Sequence, residues 1–161
     1  METRKIPARE DVAAQDKWAI EDLFATDDAW REALAAAKEF IPRVTAFRGH
    51  LAESGETLLR FFRLDDEISL AFDPIVNYAQ RRSDEDTRVA AYQEMVAQVT
   101  RFAVELQSAA AFETPELLAI DDETLNRLYA EAPKLENYRL CIDRVRRRRE
   151  HVLSDKEEAI L

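Results

Sequence analysis

Between Tyr92 and Ala109 the apolar side chains fall at steps of three and four: Tyr92, Met95, Val99, Phe102, Leu106 and Ala109. A helix of about 3.6 residues per turn puts all six on one face. A strand cannot, because it sends successive residues to opposite sides. One such stripe needs others to cover it, and the sequence supplies two. Trp30, Leu34, Ala37, Ile41 and Val44 form the first, opened by Thr26, whose hydroxyl can accept from a free amide of the first turn. Asp27 and Asp28 add negative charge at the positive end of that helix dipole. Leu58, Phe61, Ile68, Phe72, Ile75 and Ala79 form the second, starting at Ser54 or Gly55, with Asp65 interrupting the spacing. Pro42 is expected to kink or divide the first helix, and Pro74 to kink the second. Two glycines and five prolines in 161 residues are too few for the tight turns of a sandwich or barrel. The expected fold is all-α: an antiparallel bundle of three long helices followed by shorter ones.

The shorter helices carry their own punctuation. Thr114-Pro115 reads as an N-cap followed by proline in the first turn, opening a piece through Leu117 and Leu118. Asp121 or Asp122 caps another with Leu125, Leu128 and Tyr129, ending near Pro133. Leu135, Tyr138, Ile142 and Val145 mark a further helix. Ser154-Asp155-Lys156-Glu157 then has capping-box spacing. Only about two turns of helix follow before Leu161, and so short a helix is marginal alone. The expectation is a chain cut inside a larger architecture. Three segments are expected: a loosely ordered arm over 1–16, where Pro7 and mixed charges show no period, the long-helix bundle over 17–112, and the short-helix segment over 113–161.

Asp and Glu outnumber Lys and Arg 33 to 23, a formal net charge of −10. That opposes unspecific binding to nucleic acid or an anionic membrane. No apolar run is long enough to span a bilayer, and the first residues lack the apolar core of a secretion signal. Cys141 is the single cysteine, so no internal disulfide is available, which fits a reducing cytoplasm.

No constellation demands chemistry. The only histidines, His50 and His151, lack the His-Glu-x-x-His spacing of hydrolytic zinc, and Glu150-His151 reads as an exposed helix end. Cys141, beside Ile142, reads as a small buried residue. Arg144 and Arg146 to Arg149 surround a full helix turn, so they cannot share one face. They read as cations near a helix C-terminus with acidic partners nearby. The pairs Asp27-Asp28 and Asp121-Asp122 sit at helix starts, and Asp65-Asp66 does not. Two isolated glycines build no phosphate loop. No catalytic, cofactor-binding or metal residue is assigned.

Several stretches in order resemble the N-terminal region of the oligoendopeptidase F family, zinc peptidases related to the thimet-type oligopeptidases. They are Trp18-Ala19-Ile20-Glu21-Asp22-Leu23-Phe24 with Asp27-Asp28-Ala29-Trp30, and the polar corner Tyr78 to Thr87 with Tyr92-Gln93. Phe112 with Pro115-Glu116-Leu117-Leu118, Tyr138 to Ile142, and His151-Val152-Leu153-Ser154 complete the set. The resemblance implies an almost wholly helical enzyme whose two lobes enclose a channel for short peptides. It places zinc and the catalytic glutamate in a downstream domain outside this sequence. The chain is therefore expected to be a non-catalytic lobe that walls the channel. Its expected partners are its own downstream catalytic domain and short peptides, with no membrane and no nucleic acid, and with self-association as a way to cover apolar surface. The competing reading is a standalone helical adaptor. At the corner itself, Ser83, Asp84 and Asp86 are expected to end one helix and cap the next.

Overall fold

At three helix starts a side-chain oxygen accepts from a first-turn amide. The computed structural model describes Pro7 and residues 9–151. Helix α1 (Asp27–Ala37) opens with the Thr26 hydroxyl accepting the Ala29 N–H at 3.1 Å, and Asp27 and Asp28 lie in its first turn. Helix α2 is Phe40–Thr45 and α3 is Gly55–Glu85, where Ser54 Oγ accepts the Thr57 N–H at 3.1 Å. Helix α4 is Ala90–Ala110, α5 Glu113–Ala119, α6 Asp122–Glu131 and α7 Arg139–Arg146. Asp121 caps α6 by accepting the Thr124 N–H at 2.7 Å. Short 3-10 turns fill Arg9–Asp11, Ala14–Asp16, Ile20–Asp22, Pro133–Tyr138 and Arg147–His151. The fold is all-α, and no strand occurs among the described residues.

Both internal prolines have a local explanation. The first stripe is divided, but at Lys38–Glu39 rather than at Pro42. A proline ring clashes with the carbonyl four residues back, here that of Lys38, so the break falls a turn upstream. Phe40 is buried beside Val44, and Ile41 is only half-buried. Helix α3 runs unbroken through Pro74. The carbonyl that loses its donor belongs to Leu70, whose side chain is 79% exposed, so water can serve that side of the helix.

Three further expectations are corrected. The start of α5 is not capped by Thr114: the helix begins at Glu113 with Phe112 at the N-cap and no side-chain cap. Pro115 still falls among the first-turn positions whose N–H needs no helical acceptor, so the helix can begin two residues earlier without losing a bond. Cys141 is exposed, because α7 turns its neighbour Ile142 fully inward. The segment read as one helix from Leu135 begins as the 3-10 turn Pro133–Tyr138 before α7. The capping-box stretch Ser154 to Glu157 lies outside the described residues.

The chain forms two compact units, and α3 and α4 each supply residues to both. The first takes Met1–Lys38 and Ser69–Ala103. In it Trp30 is fully buried and donates its indole N–H to the Ile75 carbonyl at 2.8 Å. A buried indole without an acceptor would carry an unsatisfied donor, so this bond fixes how α1 meets α3. Met95, Val99 and Phe102 are buried from the α4 stripe, and Phe102 meets Phe72 edge-on at 5.2 Å.

The second unit takes Glu39–Ile68 and Val104–Leu161. Phe61 stands among Phe47, Phe62 and Phe112, with ring centroids 5.6, 5.7 and 5.9 Å away. Phe62 stacks on Tyr138 at 4.9 Å. At the start of α3, Gly55 is buried against the end of α6: a β-carbon there would lie 2.3 Å from the Leu128 carbonyl oxygen. The Gly55 N–H donates to Glu131 at 2.7 Å. Glycine is required here by closeness of backbones, not by an unusual φ.

Candidate functional site

The polar corner after α3 reverses the chain between Glu85 and Ala90. Asp86 turns it by accepting the Arg88 N–H at 2.9 Å, and the Arg88 guanidinium holds the Asp86 carboxyl down to about 2. Ser83 is buried, and its hydroxyl accepts from the Gln93 amide at 2.9 Å, which ties the end of α3 to α4. Asp84 pairs with Gln80 and Arg81 one turn back. Asp86 thus serves the turn, while Ser83 and Asp84 brace the end of α3 through side chains.

The larger role at this corner belongs to Asp27, Tyr78 and Arg82. Tyr78 is buried and donates its hydroxyl to Asp27 Oδ1 at 2.8 Å. Arg82 donates to the same oxygen through two nitrogens, both at 3.1 Å, and reaches Glu85 at 3.3 Å. Its guanidinium also lies over the Tyr92 ring at 4.9 Å from the centroid. Burial and the bond to Asp27 push the Tyr78 phenol up to about 12. Burial opposes the charge on Arg82, but its bond to Asp27 and the Asp27 charge outweigh that and raise its pKa. Arg9 brings Nη1 to 2.5 Å from the buried Glu85 Oε1, a close ion pair not aligned as a hydrogen bond. Asp27, Tyr78 and Arg82 are each held by another side chain of the group. This arrangement locks α1, α3 and α4 together and leaves no free nucleophile, base or oxyanion donor set.

In the second unit, carboxylates close gaps between distant backbone segments. Glu116 accepts the Gly49 N–H at 2.5 Å and the Leu51 N–H at 3.3 Å. Gly49 adopts φ +83, the left-handed conformation that glycine takes without penalty. Arg146 and Arg149 reach back to the C-terminal end of α5. Arg149 donates to the Leu118 and Ile120 carbonyls at 2.6 and 2.7 Å, and Arg146 to the Ile120 carbonyl and to Asp122. The arginine run complements helix C-termini: Arg144 and Arg146 lie in the last turn of α7, and Arg146 and Arg149 also serve the end of α5. Arg144, Arg147 and Arg148 are exposed.

His50 is exposed and paired with Glu53 at 2.6 Å, and that bond raises its pKa. His151 ends the last 3-10 turn. Among the described residues, no three His, Cys, Asp or Glu side chains gather where they could share a metal ion. Asp65 and Glu113 face a small apolar recess of about 40 Å³ with Val44, Phe61 and Ile68. Burial raises both carboxyls, and each is raised further by a neighbouring carboxylate: Asp66 for Asp65, and Asp65 for Glu113.

The missed contacts had no local signal. Asp27 lies 51 residues from Tyr78 and 55 from Arg82, and Glu116 lies 67 from Gly49. In sequence, Asp27 reads as an ordinary first-turn acid.

An M3-peptidase N-terminal family model, described as Oligopeptidase F, matches residues 116–161. Oligopeptidase PepF of Bacillus subtilis is 34% identical over 157 residues, 98% of this chain and 23% of that protein. An oligoendopeptidase F homolog of Lactococcus lactis is 32% identical over 154 residues, 95% of this chain and 26% of the relative. The crystal structure of oligoendopeptidase-F from Enterococcus faecium superposes with a TM-score of 0.70 at 26% identity, covering 84% of this chain and 26% of that one. A crystal structure from Chlamydophila abortus shares the fold with a TM-score of 0.82 at 21% identity, over 97% of this chain and 26% of its own. Fold and matches together define an all-α N-terminal region of the M3-peptidase kind. Within that class, the chain is a relative of the oligopeptidase F family over nearly its whole length. It spans about a quarter of the length of the relatives it matches. No helix among the described residues is long and apolar enough to cross a membrane.

Proposed function

We propose that this chain is the non-catalytic helical lobe of an oligoendopeptidase F-like peptidase, walling the channel through which short peptides reach the reacting centre. The carrying observation is the ratio of coverages: nearly all of this chain aligns with under a quarter of PepF. The structure supports the reading in a second way. Much of its polar chemistry is spent on joining helices, as at Asp27, Tyr78 and Arg82, which suits a wall that must keep its shape. Zinc, bound by residues of a downstream domain, would supply the Lewis acid and activated water of peptide hydrolysis. The residues here would bound the volume in which the peptide lies. The downstream domain is the principal partner, short peptides are the substrates of the whole protein, and the cytoplasm is its compartment.

The test compares two proteins against a quenched fluorescent peptide with added zinc: residues 1–161, and the reading frame extended through any His-Glu-x-x-His motif. Cleavage by the extended protein alone is the expected result. Metal-dependent cleavage by residues 1–161 would remove the non-catalytic assignment. A reading frame with no such motif would remove the parent enzyme.

A further inference from the structure

The second unit carries a cleft of about 520 Å³ between α2 with its following turn and the first turns of α3. That volume is within the usual range for small-molecule sites. Four cationic or protonatable side chains line it, Arg43, His50, Arg60 and Arg63, against two carboxylates, Glu53 and Glu67. Both carboxylates are already engaged. Arg43 grips Glu67 through two bonds of 2.7 and 2.6 Å, and His50 holds Glu53 at 2.6 Å.

That leaves Arg60 and Arg63, which have no carboxylate partner among the described residues. They are one turn apart on α3, three residues in sequence, so their side chains rise from the same face. Arg60 already lies over the Phe47 ring, 5.8 Å from its centroid, which orients its planar fork. Phe47 and Leu64 give the cleft an apolar floor. Two uncompensated guanidiniums at one spot are notable in a chain of net charge −10, where acidic partners are plentiful.

Guanidinium groups bind planar or tetrahedral oxyanions through paired N–H donors, and two of them match a double negative charge. We propose that this cleft binds a small molecule bearing a doubly charged oxyanion, with Arg60 and Arg63 as its donors and Phe47 beneath its carbon skeleton. A phosphate monoester and a dicarboxylate share that chemistry.

The experiment is an NMR titration of the 161-residue protein, labelled with nitrogen-15, in low-chloride buffer. Phenyl phosphate, succinate and, as a neutral control, phenol are added in separate arms. Saturable shifts are expected at Phe47, Arg60 and Arg63 with one or both anions and none with phenol. A response to phenyl phosphate alone identifies the source as a phosphate ester, and to succinate alone as a dicarboxylate. The double variant Arg60→Gln with Arg63→Gln is expected to weaken binding at least about tenfold. Both side chains are exposed, so the variant's melting curve should match the parent's. Arg31→Gln, in the other unit, is expected to leave binding unchanged. The proposal is overturned if neither anion gives saturable shifts, if the double variant binds as the parent does, or if the shifts spread equally to Arg144, Arg147 and Arg148.

Discussion

Replacing Gly55 with alanine sets a methyl group 2.3 Å from the Leu128 carbonyl oxygen and 3.0 Å from both the backbone nitrogen and the β-carbon of Ala132. The first two obstacles are backbone atoms at the end of α6, and the Ala132 N–H is itself bonded to that same Leu128 oxygen at 3.0 Å. They cannot swing aside as a long side chain would. Relief requires α3 and α6 to separate by about an ångström, and overpacking of this kind costs about 1–3 kcal/mol. Separation also stretches the bond from the Gly55 N–H to Glu131, worth roughly 1.5 kcal/mol or more to a carboxylate. Against these stands the helix preference of alanine over glycine, at most about 1 kcal/mol. The net loss is about 2–3 kcal/mol, or a fall in Tm of roughly 4–10 °C for a chain of this size. Thermal unfolding followed by circular dichroism at the helix band measures it, with Glu131→Gln as a companion that weakens the bond without adding volume. A Gly55→Ala melt at or above the parent's would refute the close approach of the two helices, and with it the reason given for glycine.

Three other outcomes follow from the described geometry. Tyr78→Phe removes a hydroxyl bonded to a carboxylate and should lower stability by about 1–2 kcal/mol in denaturant titration; in the parent, ultraviolet titration should show Tyr78 still un-ionised at pH 11, since its phenol sits at about 12. Asp65→Asn should raise the Tm at pH 7 and leave it unchanged below about pH 4. The sign follows because a carboxyl raised in the folded state favours folding while protonated, and that contribution is lost as pH climbs through its folded value; equal melts at pH 7 would contradict it. His50, followed by its ring-proton shifts, should titrate above 6.5, and Glu53→Gln should bring it back toward that value.

Much of the secondary structure could be read from single residues because the responsible forces are local. Thr26, Ser54 and Asp121 cap helices for reasons contained within four residues of chain, and each does so in the structure. The stripe from Tyr92 could be read by period alone, and its centre, Met95, Val99 and Phe102, is its most buried part. Thr114 misled because its side-chain chemistry is suitable for a cap, while Pro115 tolerates several first-turn positions and leaves the start to tertiary packing. Cys141 misled because burial on a short helix depends on which neighbour faces the core. The polar corner was legible as a turn but not as a lock. Its strongest contacts join Asp27 to residues more than fifty positions away, and no local pattern encodes which carboxylate will meet which arginine.

The arginines that finish α5 come late in the chain, and this bears on its synthesis. Ile120 and Leu118 present open carbonyls as soon as they are made, yet their donors at Arg146 and Arg149 follow 26 to 31 residues later. At roughly 5–20 residues per second, a ribosome takes about one to six seconds to supply them. For that interval the end of α5 has only water for its carbonyls, and it can set in its final form only after α7 has been translated.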